Sequence, residues 1–103
     1  MQNFNTMMQQ AQKLQKKIAE VQEKLDVLEI EGSSGGGMVK VVVTGGMVFK
    51  SVKIEKQVID PEDAEMLEDL VLAAIVDASK KVDETRNAEF GKVTGGMKIP
   101  GLF

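Results

Sequence analysis

The sequence predicts an α+β fold, in which a long helix, a three-stranded antiparallel sheet and a second long helix follow one another in the order α-β-β-β-α. Three observations support it: a heptad repeat of apolar residues, a β-branched segment enclosed by glycines, and a second apolar stripe at helical spacing. The 103 residues are expected to form a single domain. We place this domain at residues 1–91 and a flexible, Gly- and Pro-containing tail at residues 92–103.

The first predicted helix carries apolar residues at alternating steps of three and four. The a positions are Phe4, Ala11, Ile18 and Leu25, and the d positions are Met7, Leu14, Val21 and Leu28. A helix from about Asn5 to Leu28 would be ~35 Å long, which exceeds what a small sheet covers. The apolar seam therefore packs on its own sheet or second helix, or pairs with another subunit. The excess length favours pairing, so a homodimer is expected.

Glycines enclose the second predicted strand, which spans Met38–Thr44. Gly35–Gly37 precede it and Gly45-Gly46 follow it, at positions where the backbone can reverse at little steric cost. Side chains alternate between the two faces of a strand. The residues predicted to face the core are Val39, Val41 and Val43.

The neighbouring strands complete an antiparallel meander. A short first strand is expected around Leu28 to Ile30, followed by a flexible loop over Gly32–Gly37. Gly45-Gly46 is expected to form a two-residue turn into a third strand at Val48–Glu55. Subunits could pair through the second strand, the third strand or the first helices, and the sequence does not choose between them.

The second helix has a predicted start at Asp60, as N-cap, with Pro61 in the first helical position. Its predicted end is Gly91. The predicted apolar face consists of Leu67, Leu70, Val71, Ala74, Ile75, Ala78 and Val82.

The residue types that are missing limit the chemistry. The chain has no His, Cys, Tyr or Trp, which removes the usual general base, the thiol nucleophile and the best zinc ligands. The acidic cluster between Glu62 and Asp69 lacks the loop spacing of a cation site and is typical of a helix N-terminus. We therefore expect no enzymatic activity, small-molecule substrate, cofactor or metal. No apolar run approaches the roughly 18 residues that span a bilayer, so no membrane association is expected.

Three segments together carry a family resemblance: the run Gly35–Val41 (GGGMVKV), the run Glu65–Ala74 (EMLEDLVLAA) and Gly96-Met97 shortly before Pro100. With the heptad helix, they make the chain resemble the YbaB/EbfC family over nearly its whole length. The resemblance implies a bacterial protein of the cytoplasmic nucleoid that binds double-stranded DNA as a homodimer, with helices projecting like tweezers. It also implies a role in nucleoid organisation and gene expression.

The distribution of charge identifies candidate DNA contacts. The net charge is −3, but residues 61–79 hold six acidic and no basic residues, which leaves thirteen basic against ten acidic residues elsewhere. The candidate DNA-binding residues are Lys13, Lys16, Lys17, Lys24, Lys80, Lys81 and Arg86.

Each candidate also has a plain structural interpretation. Lys13, Lys16 and Lys17 occupy c, f and g positions, and together with Lys24 they would equally form a solvated helix face. The three basic residues at 80, 81 and 86 would equally interact with the C-terminal half of their own helix. Contacts between lysines and phosphates predict salt-dependent binding. Arg86 is the only arginine, so we expect only a modest sequence preference. The alternative function is a coiled-coil-type protein interaction module without physiological DNA binding.

Overall fold

The computed structural model describes residues 4–95 and has the predicted α-β-β-β-α order. The elements are helix α1 (Phe4–Val27), strands β1 (Glu29–Ser34), β2 (Val39–Thr44) and β3 (Phe49–Ile54), and helix α2 (Ala64–Thr94). Short 3-10 turns occupy Gly35–Gly37 and Lys56–Val58. The principal-axis extents are 74 × 20 × 18 Å, so the long helices give the molecule an elongated form.

The sheet is an antiparallel meander in the order β1-β2-β3, as predicted. Val39, Val41 and Val43 of the central strand are completely buried, which confirms the alternation inferred from the sequence. They pack against the small residues Ala74 and Ala78 of α2. One apolar face of one helix on one face of the sheet therefore forms the main core.

Strand β1 is longer than predicted, because Gly32, Ser33 and Ser34 belong to the strand and not to a loop. A Cβ atom on Gly32 would lie 2.4 Å from the backbone nitrogen of Ala78, so glycine here permits close contact between β1 and α2. The hydroxyl of Ser34 donates to the carbonyl oxygen of Leu70 at 2.6 Å. These small residues therefore contribute to the packing of the helix on the sheet. Their composition alone is equally typical of a loop.

The two connections between the strands agree with the sequence predictions to different extents. Gly35, Gly36 and Gly37 have positive φ values of 59°, 68° and 94°, as expected for a reversal that needs glycine. The second connection is not a two-residue Gly45-Gly46 turn. It extends to Val48, whose carbonyl accepts a hydrogen bond from Thr44, and its residue with positive φ is Met47.

Helix α2 begins three residues later than predicted. Asp63 is the N-cap, and its side chain accepts a hydrogen bond from the backbone N–H of Met66 at 3.2 Å. Asp60 instead accepts from the backbone N–H of Glu62 at 2.9 Å, within a turn that precedes the helix. Both aspartates accept a hydrogen bond from a nearby backbone N–H. Because the backbone N–H of Asp63 donates to the carbonyl oxygen of Asp60, residues 60–63 form a turn, and the helix begins after Asp63.

Helix α2 also ends later than predicted, at Thr94 instead of Gly91. Gly95 is the C-cap in the left-handed conformation, with φ 67°, and its N–H donates to the carbonyl oxygen of Gly91. Phe90 and Thr94 are both buried, and their packing outweighs the cost of about 1 kcal/mol for glycine inside a helix. The predicted tail therefore overlaps the helix at 92–94, and its remaining part from residue 96 lies outside the described residues.

Candidate nucleic-acid interface

The apolar seam of α1 is covered at one end only. Leu25 is completely buried, and Leu14, Ile18 and Val21 are partly buried. Phe4 and Met7, at the other end, are 75% and 66% exposed. The last turns of α1 therefore pack within the chain, whereas its first turns project from it.

Arg86 joins three elements where α1 meets α2. Its guanidinium donates through Nη1 to the carbonyl oxygen of Gly45 at 3.1 Å, and through Nη2 to Oε1 of Gln22 at 3.4 Å. Its Cζ atom also lies 5.4 Å from the ring centroid of Phe90, a distance suited to a cation–π interaction. The side chain is half-buried. Although the sequence proposed Arg86 as a DNA contact, in the structure its guanidinium binds within the chain.

The first lysines of α1 are differently placed. Lys13, Lys16 and Lys17 are exposed and make no hydrogen bond or ion pair with any residue between 4 and 95. Lys24 lies nearer the junction, where its Nζ is 3.5 Å from Oε1 of Glu89. Three of the four candidate lysines on α1 thus retain their full hydrogen-bonding capacity for a ligand.

Glu89 accepts from two lysines at the end of α2. A hydrogen bond from Lys92 at 3.0 Å is the main reason that the pKa of Glu89 is lowered, and the charge of Lys24 adds to it. Since the Glu89 side chain is 20% exposed and that of Lys24 is 66% exposed, the lysine can leave this pair at little cost.

Lys80 and Lys81 lie elsewhere, beside β1. The Nζ atom of Lys81 lies 3.0 Å from Oδ2 of Asp77, and it donates a hydrogen bond to the carbonyl oxygen of Glu31 at 3.3 Å. The backbone N–H of Ser33 donates to the same carboxylate, and this bond, followed by that from Lys81, lowers the pKa of Asp77. Lys80 is exposed. The predicted site residues therefore lie in three places. Lys13, Lys16 and Lys17 project on α1, Lys24 and Arg86 lie where α1 meets α2, and Lys80 and Lys81 lie on the middle of α2.

A further pair of lysines, outside the predicted set, lies on the face of the sheet away from α2. Lys40 and Lys53 are directly opposite each other on β2 and β3, and both are exposed. The alternation along Met38–Thr44 already predicted that Lys40 lies on the face of the strand away from the core valines. Its cross-strand partner could not be known without the register.

An apolar groove runs between the end of β3 and α2. It is lined by Ile54, Leu67, Glu68, Val71, Leu72 and Ile75. Val52 on the same strand is 51% exposed, although it pairs with the buried Val41 and so points to the core side of the sheet. Helix α2 therefore leaves the inner face of β3 uncovered.

Within residues 4–95, no group of three or more acidic side chains is arranged to hold a metal ion. In the same range, no helix is both long enough and apolar enough to cross a membrane.

These features define a small α-β-β-β-α protein with a projecting, lysine-bearing helix. The family model described as the YbaB/EbfC DNA-binding family matches residues 1–97. The chain belongs to this family, which confirms the resemblance seen in the sequence.

Curated relatives carry the name nucleoid-associated protein. One from Syntrophobacter fumaroxidans is 52% identical over 99 residues, covering 96% of this chain and 89% of the relative. One from Alkaliphilus metalliredigens is 48% identical over 101 residues, covering 98% and 89%. A crystal structure of an uncharacterised Helicobacter pylori protein superimposes with a TM-score of 0.73 at 26% identity, covering 90% of this chain and 99% of that one.

Proposed function

We propose that this protein is a nucleoid-associated protein of the bacterial cytoplasm that binds duplex DNA as a homodimer, using the exposed lysines of α1. Membership of a DNA-binding family supports DNA as the partner. The main observation in favour of this surface concerns Lys13, Lys16 and Lys17. Within residues 4–95, these three lysines have no hydrogen-bond or ion-pair partner. Lysines that project on a helix are suited to contact phosphates without reading bases.

The acidic half of α2 supports an oriented mode of binding. Glu62, Asp63, Glu65, Glu68 and Asp69 precede or belong to its first turns and are exposed. Their charge repels a polyanion, so the duplex approaches from the α1 side. Lysine supplies charge without a fixed geometry, and the only arginine is engaged at the junction between the helices. A modest sequence preference fits this chemistry. The proposed role of the bound protein is in nucleoid organisation and gene expression.

The homodimer would form through β3 and its adjoining groove. Strand β2 is paired on both sides, so of the two strands considered from the sequence only β3 is free to pair. An edge strand can pair antiparallel with its own copy across a two-fold axis. This arrangement would cover Val52, Leu72 and Val76, which are 51%, 60% and 58% exposed. It would also place two α1 helices on one particle.

The decisive experiment replaces Lys13, Lys16 and Lys17 together by Gln and titrates a fluorescent duplex at about 50 and about 200 mM salt. Lost phosphate contacts lower the affinity and reduce the salt dependence by about 0.9 in log–log slope for each contact. The control is Ala64→Glu/Ala73→Glu/Asn87→Asp, which changes the net charge equally at exposed positions of α2. If the lysine variant binds as tightly as this control, α1 is not the DNA-binding surface.

The alternative, a protein interaction module, is favoured by one observation, the exposed Phe4 and Met7 at the projecting end of α1. The same titration separates the two functions. A wild-type protein that binds no duplex at about 50 mM salt would support the interaction module, because phosphate contacts are strongest at low salt.

A further inference from the structure

We infer that the face of the sheet opposite α2, centred on Lys40 and Lys53, is a second phosphate-binding surface that contacts the DNA backbone. This inference rests on the proposed function and extends it from the helices to the sheet. It concerns residues that neither the predicted site nor the α1 surface includes.

The register of the sheet places the two lysines side by side. Lys40 is paired with Lys53 across β2 and β3, and with Ser33 across β1 and β2. Because Val39 and Val41 are buried against α2, Lys40 and its cross-strand partners point to the other face. Side chains directly opposite in an antiparallel pair have Cβ atoms about 4.5–5.5 Å apart. Two ammonium groups can therefore reach one phosphodiester strand together.

Within residues 4–95, this pair of lysines has no ion-pair partner. Neither lysine makes an ion pair or side-chain hydrogen bond among residues 4–95, and both are exposed. Glu55 lines the same shallow depression, with Gly37 and Met38, but forms no ion pair with either lysine. Like charges directly opposite on a sheet destabilise it. A bound polyanion would relieve that repulsion.

The charge on β2 and β3 favours a polyanion over an acidic side chain. Residues 38–58 contain four lysines and one acidic residue. Helix α1, by comparison, carries four lysines with three acidic residues. The β2–β3 region therefore has the greater net positive charge of the two. On the same face, β1 carries Glu29 and Glu31 opposite Thr44 and Val42, so the positive charge lies at the end of the sheet where Lys40 and Lys53 pair. Glu31 and Ser51 are exposed, so neither helix covers this part of the sheet.

The first test is the double variant Lys40→Gln/Lys53→Gln, with Ala64→Glu/Ala73→Glu as the control of equal net charge. Duplex affinity is measured between about 50 and 200 mM salt, and solution mass verifies that assembly is unchanged. Loss of two phosphate contacts is expected to weaken binding and to reduce the log–log salt slope by about 1.8 per protomer relative to the control. A slope and affinity equal to those of the control would overturn the inference.

The second test separates a role in binding from a role in folding. Lys53→Glu places a carboxylate opposite Lys40, so its unfolding midpoint is expected to rise above that of the wild type while DNA binding weakens. A variant that is more stable and binds DNA undiminished would overturn the inference alone. A wild type that binds no duplex would overturn the proposed function as well, whereas the α1 lysine variants test only the α1 surface.

Discussion

The guanidinium of Arg86 donates a hydrogen bond to the carbonyl oxygen of Gly45 at 3.1 Å, joining the C-terminal third of α2 to the residue that follows β2. Gly45 is buried. A Cβ atom there would lie 2.4 Å from the carbonyl oxygen of Leu25, so the last turn of α1 packs directly on this backbone. Because Arg86 also contacts Gln22, it connects α1, the sheet and α2 at the point from which α1 projects.

Replacing Arg86 by Met is expected to lower the free energy of unfolding by about 1–3 kcal/mol, because the buried carbonyl of Gly45 would lose its charged donor. Chemical denaturation measures this. Lys80→Met, at an exposed position of the same helix, should change stability by less than about 0.5 kcal/mol. Equal stability of the Arg86 variant and the wild type would show that the junction does not depend on this side chain.

Gly32 and Gly91 should respond oppositely to alanine. The added Cβ at Gly32 would lie 2.6 Å from the carbonyl oxygen of Ala74, so Gly32→Ala should destabilise the fold by about 1–3 kcal/mol. A Cβ at Gly91 would meet nothing within 4 Å, so Gly91→Ala should stabilise α2 by about 0.5–1 kcal/mol. Thermal unfolding of both variants provides the comparison. If Gly32→Ala does not lower the stability of the fold, then β1 and α2 can move apart without a loss of stability, which would contradict this prediction.

Asp77 should contribute to the pH dependence of stability. The backbone N–H of Ser33, and then Lys81, lower its pKa below the ordinary value of 3.8 in the folded chain. A lowered native pKa stabilises the fold above the unfolded pKa, and the effect disappears as the pH falls through the native pKa. The stability difference between wild type and Asp77→Asn should therefore be present at about pH 6 and shrink toward about pH 2.

Denaturant titrations across that range measure the effect for Asp77. Asp69→Asn is a suitable control, since Asp69 is exposed and makes no ion pair within residues 4–95. A difference between Asp77→Asn and wild type that did not vary with pH would contradict a lowered native pKa.

The proposed dimer predicts a specific effect of charge in the apolar groove. Leu72→Glu would bury a carboxylate between subunits, so the variant should be monomeric at concentrations where the wild type is dimeric. Analytical ultracentrifugation distinguishes these states. Val27→Glu is the matched control, because Val27 is 76% exposed but lies outside the groove. Dissociation caused by the Val27 variant instead would locate the contact at α1.

The sequence predicted what depends on periodicity. The heptad steps predicted α1, alternation predicted the burial of Val39, Val41 and Val43, and the three-glycine loop has the positive φ values that glycine permits. Element ends were less predictable, because they depend on contacts distant in the chain. Gly32 was assigned to a loop, yet it is a strand residue selected by the backbone of Ala78.

The candidate site shows the same division. The exposure of Lys13, Lys16 and Lys17 followed from their heptad positions. The engagement of Arg86 with Gly45 and the opposition of Lys40 to Lys53 each join residues separated by more than ten positions. Their contribution to function could not be judged from spacing alone.

The sequence by itself determined the order of the elements, the core face of β2 and the resemblance to a DNA-binding family, because these depend on residue type at short periods. Only the tertiary structure decided which charges remain free, which strand is an edge and which part of α1 is covered. Those properties depend on the packing of α2 across β1 and β2, with β3 left open. Such packing brings together residues that no local pattern relates.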